Sequence, residues 1–181
     1  MAKVHSHSLV IDASIARAAG EFSEHPTSRN CREFLQAVLD LGHRMAMTAP
    51  IQLEWNKHQS RFARRWRTSM MARKKLEIVK VPSDRSLEKR IELIVAAKRV
   101  VALIEKDRHL LEAALATDQR IASLDDEVRM HLQVHRSRLP EVARICWVNP
   151  DARAERAVAW LESGAPADQF RTLGFIPTAP K

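Results

Sequence analysis

Four acidic side chains stand where predicted strands and helices meet, each among apolar neighbours. They are Asp12, Glu54, Asp107 and Asp125. An unpaired carboxylate costs several kcal/mol to remove from water, so such residues must reach solvent, meet a cation or cap a helix. Capping is an adequate explanation for Asp107 and Asp125, because a carboxylate at a helix N-terminus gains about 0.3–1 kcal/mol from the helix dipole. It does not account for Asp12 and Glu54 as well.

A cluster of carboxylates is the donor set that hard divalent cations prefer. Mg²⁺ and Mn²⁺ bind one or two carboxylates together with water and the phosphate of a substrate. In phosphoryl transfer such an ion activates water and stabilises the departing oxygen. The acids therefore predict a Mg²⁺ or Mn²⁺ site for phosphodiester chemistry.

A strongly basic segment lies between Trp55 and Leu76, with eight Lys and Arg residues and no acid. This excess equals the net charge of +8 of the whole chain, so we expect the segment to attract a polyanion. Helical spacing turns Arg67 away from its basic neighbours. The predicted nucleic-acid-binding residues are Lys57, Arg61, Arg64, Arg65, Arg73, Lys74 and Lys75. The alternative is an ordinary solvated helix face.

Trp55 and Trp66 belong to the same basic segment. Aromatic side chains on a basic surface can stack on nucleic-acid bases. Packing in the core is the more common role of such residues, and we expect it here.

Short apolar runs alternate with longer segments of helical periodicity. The predicted strands are Leu9–Ile11, Arg44–Thr48, Leu76–Val79, Arg120–Leu124 and Arg144–Val148. Strands separated by helices form parallel crossovers. The pattern therefore predicts an α/β three-layer sandwich with a central, mostly parallel sheet of about five strands.

The intervening segments predict helices. One begins at Thr27 or Ser28 and stops near Gly42. A second runs without a break from "APIQLEW" to Lys75, and a third starts at Ser86 and continues to "ALIEKD". The third helix is expected to bury Ile91, Ile94, Val95 and Val101. Shorter helices follow in "DRHLLEAALATD", "DDEVRMHLQVHRS" and Ala152–Glu162.

The predicted sheet brings acids from two strands to one edge. Asp12 directly follows the first strand, and Asp125 with Asp126 directly follows "RIASL". Ligands of parallel α/β sheets lie beyond the carboxyl ends of the strands. This edge is therefore the predicted site.

The acids and their neighbours resemble those of the PIN-domain family, the fold of toxin ribonucleases of the VapC type. The matching stretches are "LVIDASIA", "TAPIQLEW", "DRHLLEAAL" and "RIASLDDEVR", within about residues 8–148. The resemblance implies that Mg²⁺ or Mn²⁺ is bound by Asp12, Glu54, Asp107 and Asp125, with Ser14 assisting. The doublet leaves Asp126 as an alternative ligand to Asp125. The resemblance also implies RNA as substrate and, as further partners, an antitoxin protein and a second copy of the chain.

Length and composition suit a single domain with a small appendage. The chain has 181 residues, of which 45% are hydrophobic. We expect a nuclease domain at 1–150, with a basic helical segment at about 55–105, and a C-terminal helix and tail at 151–181. No apolar run approaches the ~18 residues of a membrane span, so the expected location is the cytoplasm, away from membranes. Cys31 and Cys146 stand alone among apolar residues and are expected to be buried.

Together these observations predict a metal-dependent endoribonuclease that uses water as the nucleophile, and the resemblance extends this to the toxin of a toxin–antitoxin pair. Two alternatives stay open. One is a module of the same fold that binds nucleic acid without cutting it, and the other is a DNA nuclease on the same scaffold. Four glycines in the chain, and no G-x-S-x-G, argue against a nucleophile elbow, a P-loop and a dinucleotide-binding fingerprint.

Overall fold

The protein has one sheet of five parallel strands, in the order β3-β2-β1-β4-β5. We describe it from a computed structural model, which covers residues 5–22, 24–81, 85–94 and 96–176. The strands are β1 (Ser8–Ile11), β2 (Arg44–Met47), β3 (Leu76–Ile78), β4 (Arg120–Ala122) and β5 (Cys146–Val148). Four strands lie within their predicted segments, and β1 begins one residue before its segment, at Ser8. The prediction of an α/β sandwich around a parallel sheet is confirmed.

Nine α-helices accompany the sheet in the part of the chain that the structure describes. They are α1 (Ala13–Ala18), α2 (Pro26–Asp40), α3 (Ala49–His58), α4 (Arg61–Ala72), α5 (Ser86–Glu92), α6 (Lys98–Lys106), α7 (Arg108–Leu115), α8 (Asp126–Val134) and α9 (Ala157–Glu162). Short 3₁₀ turns occupy Pro140–Arg144, Arg153–Glu155 and Gln169–Arg171. Within these described ranges no helix is long and apolar enough to cross a membrane.

The helices form two layers. Helix α2 packs against α4 and α9, and α7 packs against β1, β2 and β4. Right-handed crossovers place the helices between β1 and β3 on one face and those between β3 and β5 on the other. The central strand β1 is buried along its whole length.

The long helix predicted through Lys75 is wrong, because Gln59 and Ser60 separate α3 from α4. Ser60 donates its N–H to the Ala16 carbonyl and its hydroxyl to the Ala19 carbonyl. The same hydroxyl oxygen accepts from the N–H of Ala63, which caps α4. These contacts with the chain around α1 hold Ser60 in an extended conformation that a continuous helix cannot contain.

Helix α2 begins at Pro26 instead of at Thr27 or Ser28. Proline is favoured in the first turn, where its missing N–H costs nothing. The two hydroxyls serve tertiary contacts: Thr27 donates to Asp151 at 2.7 Å, and Ser28 accepts from the N–H of Gly20 at 2.9 Å. Neither is therefore free to cap the helix.

Two further predicted helices are interrupted. The third predicted helix is divided into α5, which ends at Glu92, and α6, which begins at Lys98. Its Ile91 and Ile94 are buried as expected and Val101 is half-buried, whereas Val95 lies outside the described residues. The final helix is broken at Arg156, which adopts a left-handed conformation with φ of +45°.

Trp55 and Trp66 are core residues. Both are nearly inaccessible to solvent, and their ring centroids lie 5.8 Å apart. The indole N–H of Trp55 donates to the Ile11 carbonyl at 2.8 Å, and that of Trp66 donates to the Leu35 carbonyl. The two rings therefore have no face left for a nucleic-acid base.

Candidate active site

The acidic residues singled out in the sequence line one pocket at the carboxyl edge of the sheet. Asp12 follows β1, Asp125 follows β4, and Glu54 and Asp107 come from α3 and from the junction of α6 with α7. The pocket has a volume of about 410 Å³. Its lining includes Asp12, Ser14, Arg17, Glu54, His58, Lys106, Asp107, Asp125, Asp126 and Glu127. It lies where the chain leaves the neighbouring strands β1 and β4 toward opposite faces, the usual ligand position in such sheets.

Two hydroxyls hold the Asp12 carboxylate in place. Its Oδ2 atom accepts from the hydroxyl of Ser14 and, at 2.8 Å, from that of Ser123. The Ser123 oxygen in turn accepts from the N–H of Asp125 at 3.1 Å. Ser14 also receives the N–H of Leu124 at 3.3 Å. Asp12 is thus tied to the end of β4, and its Oδ1 is left for the pocket.

Asp107 is the most buried acid of the pocket, with 6% of the residue exposed. Burial, followed by the charge of Asp12 and then by those of Asp125 and Glu54, raises its pKa from 3.8 to about 7; the positive charge of Lys106 opposes the shift. Among the described residues no side chain or N–H donates a hydrogen bond to its carboxylate. Its carboxylate opens into the pocket toward other carboxylates, so a cation bound there would stabilise the charged form.

Glu54 lies at the outer side of the pocket and approaches a histidine. Its Oε2 is 3.2 Å from Nε2 of His109, an ion-pair distance without hydrogen-bond alignment. Nδ1 of His109 lies 3.0 Å from the Lys106 carbonyl and must carry a proton there, because a carbonyl only accepts. His109 therefore attracts Glu54 when both its nitrogens are protonated.

The two acids after β4 each use one oxygen within the protein. Oδ1 of Asp125 accepts from the N–H of Val128 at 2.9 Å and caps α8. Oδ2 of Asp126 accepts from the side-chain amide of Asn149 at 2.7 Å. Both acids line the pocket, and Asp125 is the one whose charge acts on Asp107. This favours Asp125 over Asp126 as the partner of Asp12 and Asp107.

The chemistry of the pocket fits a hard divalent cation. Its donors are carboxylate oxygens, and one of them belongs to Asp107, a largely buried residue whose carboxylate accepts no hydrogen bond from the described residues. In the described part of the chain, no three His, Cys, Asp or Glu side chains are already gathered around one metal position. Binding would therefore require the carboxylates to close by side-chain rotation.

Three basic side chains on the pocket wall were not predicted from the sequence. They are Arg17, His58 and Lys106. Their closeness in sequence to the acids could have indicated this position. Arg17 follows Asp12 by five residues through α1, and His58 follows Glu54 by one helical turn. Lys106 directly precedes Asp107. Arg17 and Lys106 add positive charge to the pocket wall.

The basic segment is divided between the two ends of the molecule. Lys57, Arg61 and Arg64 are exposed at or near the junction of α3 and α4, which is tied to α1. Arg65 is also exposed but is paired with Glu21. Helix α4 then runs about 18 Å toward the start of β3.

The last three predicted phosphate-binding residues, Arg73, Lys74 and Lys75, directly precede β3. Because β3 is parallel to β1, they lie at the amino edge of the sheet, opposite Asp12. Lys75 is further engaged, since its ammonium donates to the Gly42 carbonyl at 2.8 Å.

Cys31 and Cys146 are buried, as expected, and burial raises the pKa of the Cys31 thiol to about 12. The thiol form therefore prevails, and neither residue lines the pocket.

Comparison of the chain with protein-family models, with curated proteins and with solved structures gives no match.

Proposed function

We propose that this protein is a metal-dependent endoribonuclease of the PIN type, which hydrolyses phosphodiester bonds of single-stranded RNA. The observation that supports the proposal is the pocket shared by Asp12, Glu54, Asp107 and Asp125, which come from four separate places in the chain. One or two of these acids could be explained as helix caps. Their common pocket at the ligand-binding edge of a parallel sheet is better explained by a shared ligand.

In this proposal, Asp12, Asp107 and Asp125 hold the cation, with Glu54 at the outer side. A bound Mg²⁺ or Mn²⁺ would lower the pKa of water and stabilise negative charge on the phosphate. Ser14 and Ser123 orient the Asp12 carboxylate through their hydrogen bonds to Oδ2.

The basic side chains at the pocket bring the polyanion to the acids. Arg17 and Lys106 lie on the pocket wall, and Arg61 and Arg64 are exposed beyond His58. Their positive charge offsets the repulsion between a phosphodiester and the carboxylates. Arg73, Lys74 and Lys75, at the opposite edge, are not part of this proposed site.

The second candidate is a module that binds nucleic acid without cutting it. It is favoured by one observation: the carboxylates of the described pocket are not gathered around a metal position, and Glu54, Asp125 and Asp126 each have a protein partner.

Cleavage assays separate the two candidates. Purified protein is incubated with end-labelled single-stranded RNA and with DNA of the same sequence, in Mn²⁺ and in chelator. We expect cleavage of RNA in Mn²⁺ only, and loss of cleavage in Asp12→Asn. The matched control is Asp40→Asn, which removes an exposed carboxylate at the end of α2 and should retain full activity. RNA binding without cleavage in any metal would favour the binding module, and preferential cutting of DNA would favour the DNA nuclease.

A further inference from the structure

A second concave surface, the arginine groove, lies between the first turns of α2 and the segment that follows β5. It has a volume of about 660 Å³. Three exposed arginines line it: Arg29 from α2, and Arg153 and Arg156 from the turn before α9. Within the described residues, no carboxylate lies at ion-pair distance from any of the three. Unpaired guanidinium groups in one groove are suited to phosphate, which they can bind with two parallel hydrogen bonds.

Two acids, Asp151 and Glu33, also line the groove, but its net charge remains positive. Both oxygens of Asp151 are occupied, since Thr27 donates to one at 2.7 Å and the amide of Asn30 donates to the other at 2.9 Å. Glu33 is exposed on α2. The arginines therefore outnumber the acids, and one of the two acids is turned into the structure.

Asn149 joins the arginine groove to the acidic pocket. Its side-chain N–H donates to Asp126, on the pocket wall, at 2.7 Å. Its side-chain oxygen accepts the N–H of Asp151, on the groove wall, at 2.9 Å. Asn149 is buried and follows β5 directly, so its amide links a residue of the pocket wall to a residue of the groove wall. Both lie at the carboxyl edge of the sheet.

We propose that a single-stranded RNA runs from the acidic pocket across Asn149 into the arginine groove, where Arg29, Arg153 and Arg156 hold its backbone phosphates. This inference rests on the proposed function. The expected substrate is therefore a strand of several nucleotides, long enough to occupy the pocket and the groove together. An acidic peptide is the other ligand that such a groove can take, but it would have no use for the neighbouring acidic pocket.

Chain length is the property that tests the inference. An oligonucleotide of about four nucleotides can fill the acidic pocket alone, whereas one of about twelve can also reach the groove. Each phosphate neutralised on a single strand contributes about −0.7 to the slope of log K against log[salt]. Three arginine contacts thus contribute about −2 to the slope, so that a fourfold rise in salt weakens long-strand binding about 20-fold more with them than without them.

The variant is Arg29→Gln, Arg153→Gln and Arg156→Asn in one chain. Asparagine is chosen for Arg156 because it tolerates the left-handed backbone, where φ is +45°. The matched control is Lys74→Asn, which also replaces a cation at positive φ, +55°, but at the opposite edge of the sheet. Comparable melting temperatures of the two variants would show that both are folded.

Binding is measured by fluorescence anisotropy in chelator, and cleavage by the wild type and by both variants is measured in parallel in Mn²⁺. For the long strand, we expect the triple variant to lose about 2 from the slope of log K against log[salt]. It should bind the short strand within about twofold of the wild type and retain its kcat on the short strand. Lys74→Asn should change none of these.

Three results would overturn the inference. Equal affinity of the variant and the wild type for the long strand would show that the groove is not used, while wild-type cleavage would leave the proposed function standing. Tighter binding of an oligoglutamate peptide than of RNA, lost in the triple variant, would assign the groove to an acidic protein. Absence of cleavage by the wild type on either strand would refute the proposed function and the inference with it.

Discussion

Replacing Asp107 with Asn should stabilise the metal-free protein at pH 8 and have little net effect at pH 5. The pKa of this carboxyl group is raised from 3.8 to about 7 by burial and by three neighbouring carboxylates. The folded protein therefore binds the proton more tightly than the unfolded chain does. As pH rises from about 4 to about 7, the unfolded chain loses its proton first, and the free energy of unfolding falls.

The size of the effect follows from the two pKa values. One pKa unit corresponds to about 1.4 kcal/mol. Relative to low pH, the easier ionisation of this carboxyl group in the unfolded chain lowers the stability of the wild type by about 2 kcal/mol at pH 5 and by about 4 kcal/mol at pH 8. Asparagine avoids both losses, but its buried amide costs about 1–3 kcal/mol for want of a hydrogen-bond partner. The net gain should be close to zero at pH 5 and about 1–3 kcal/mol at pH 8.

Urea unfolding of the wild type and of Asp107→Asn, in chelator at both pH values, measures these differences. Asp40→Asn is the control, because its exposed side chain should alter stability by less than about 0.5 kcal/mol at either pH. If Asp107→Asn changed stability equally at pH 5 and pH 8, the carboxylate would ionise without cost. In that case Lys106 would already neutralise it, and the electrostatic need for a cation would be refuted.

Three other substitutions have separate expected outcomes. Asp12→Asn should abolish RNA cleavage while changing the melting temperature of the metal-free protein little or raising it, as circular dichroism would show; a large destabilisation would make Asp12 a structural cap instead. Arg61→Gln should reduce the slope of log K for RNA against log[salt] by about 0.7, whereas Lys74→Asn should leave the slope unchanged. Equal slopes for the wild type and these two variants would show that Arg61 does not contact the RNA. Trp55→Phe should lower stability by about 1–3 kcal/mol, because the buried Ile11 carbonyl loses its donor, and should not weaken RNA binding; weakened binding in a stable variant would restore a stacking role.

The sheet was predictable from the sequence because its signals are local. Each strand is a short apolar run between helical segments, and Asp12 stands directly after one such run. Because Asp12 and Asp125 follow parallel strands, they are expected at the same carboxyl edge of the sheet, where ligands of such sheets bind. Asp107 follows from the same logic, since α7 leads back into β4 and must begin at the carboxyl edge.

What the sequence did not reveal depends on contacts between distant residues. Helix propensity favours a continuous helix through Ser60, but the bonds of Ser60 to Ala16 and Ala19, together with its cap on α4, interrupt the helix there. The break changes the direction of the chain, and α4 then carries Arg73 and Lys74 away from the pocket. The basic residues are therefore continuous in the sequence but lie at two opposite edges of the sheet in the folded protein.

The arginine groove could not be predicted from the sequence, because it also depends on contacts between distant residues. Arg29 and Arg153 are separated by more than a hundred residues and meet only because α2 packs beside the end of β5. Asn149 directly follows the predicted strand Arg144–Val148, and its position in the sequence indicates no contact with the site. Its two hydrogen bonds, to Asp126 and from Asp151, become visible only in the folded protein.

A calorimetric titration with Mn²⁺ tests the central claim, that the acidic pocket is a metal site, most directly. The wild type should bind Mn²⁺, and its melting temperature should rise with Mn²⁺ concentration, because a ligand that binds only the folded state stabilises it by mass action. The double variant Asp12→Asn and Asp125→Asn should lose the heat of binding and the thermal shift, while Asp40→Asn should retain both. Equal Mn²⁺ binding by the double variant and the wild type would place the metal elsewhere, and absence of binding to the wild type would contradict the metal-dependent nuclease.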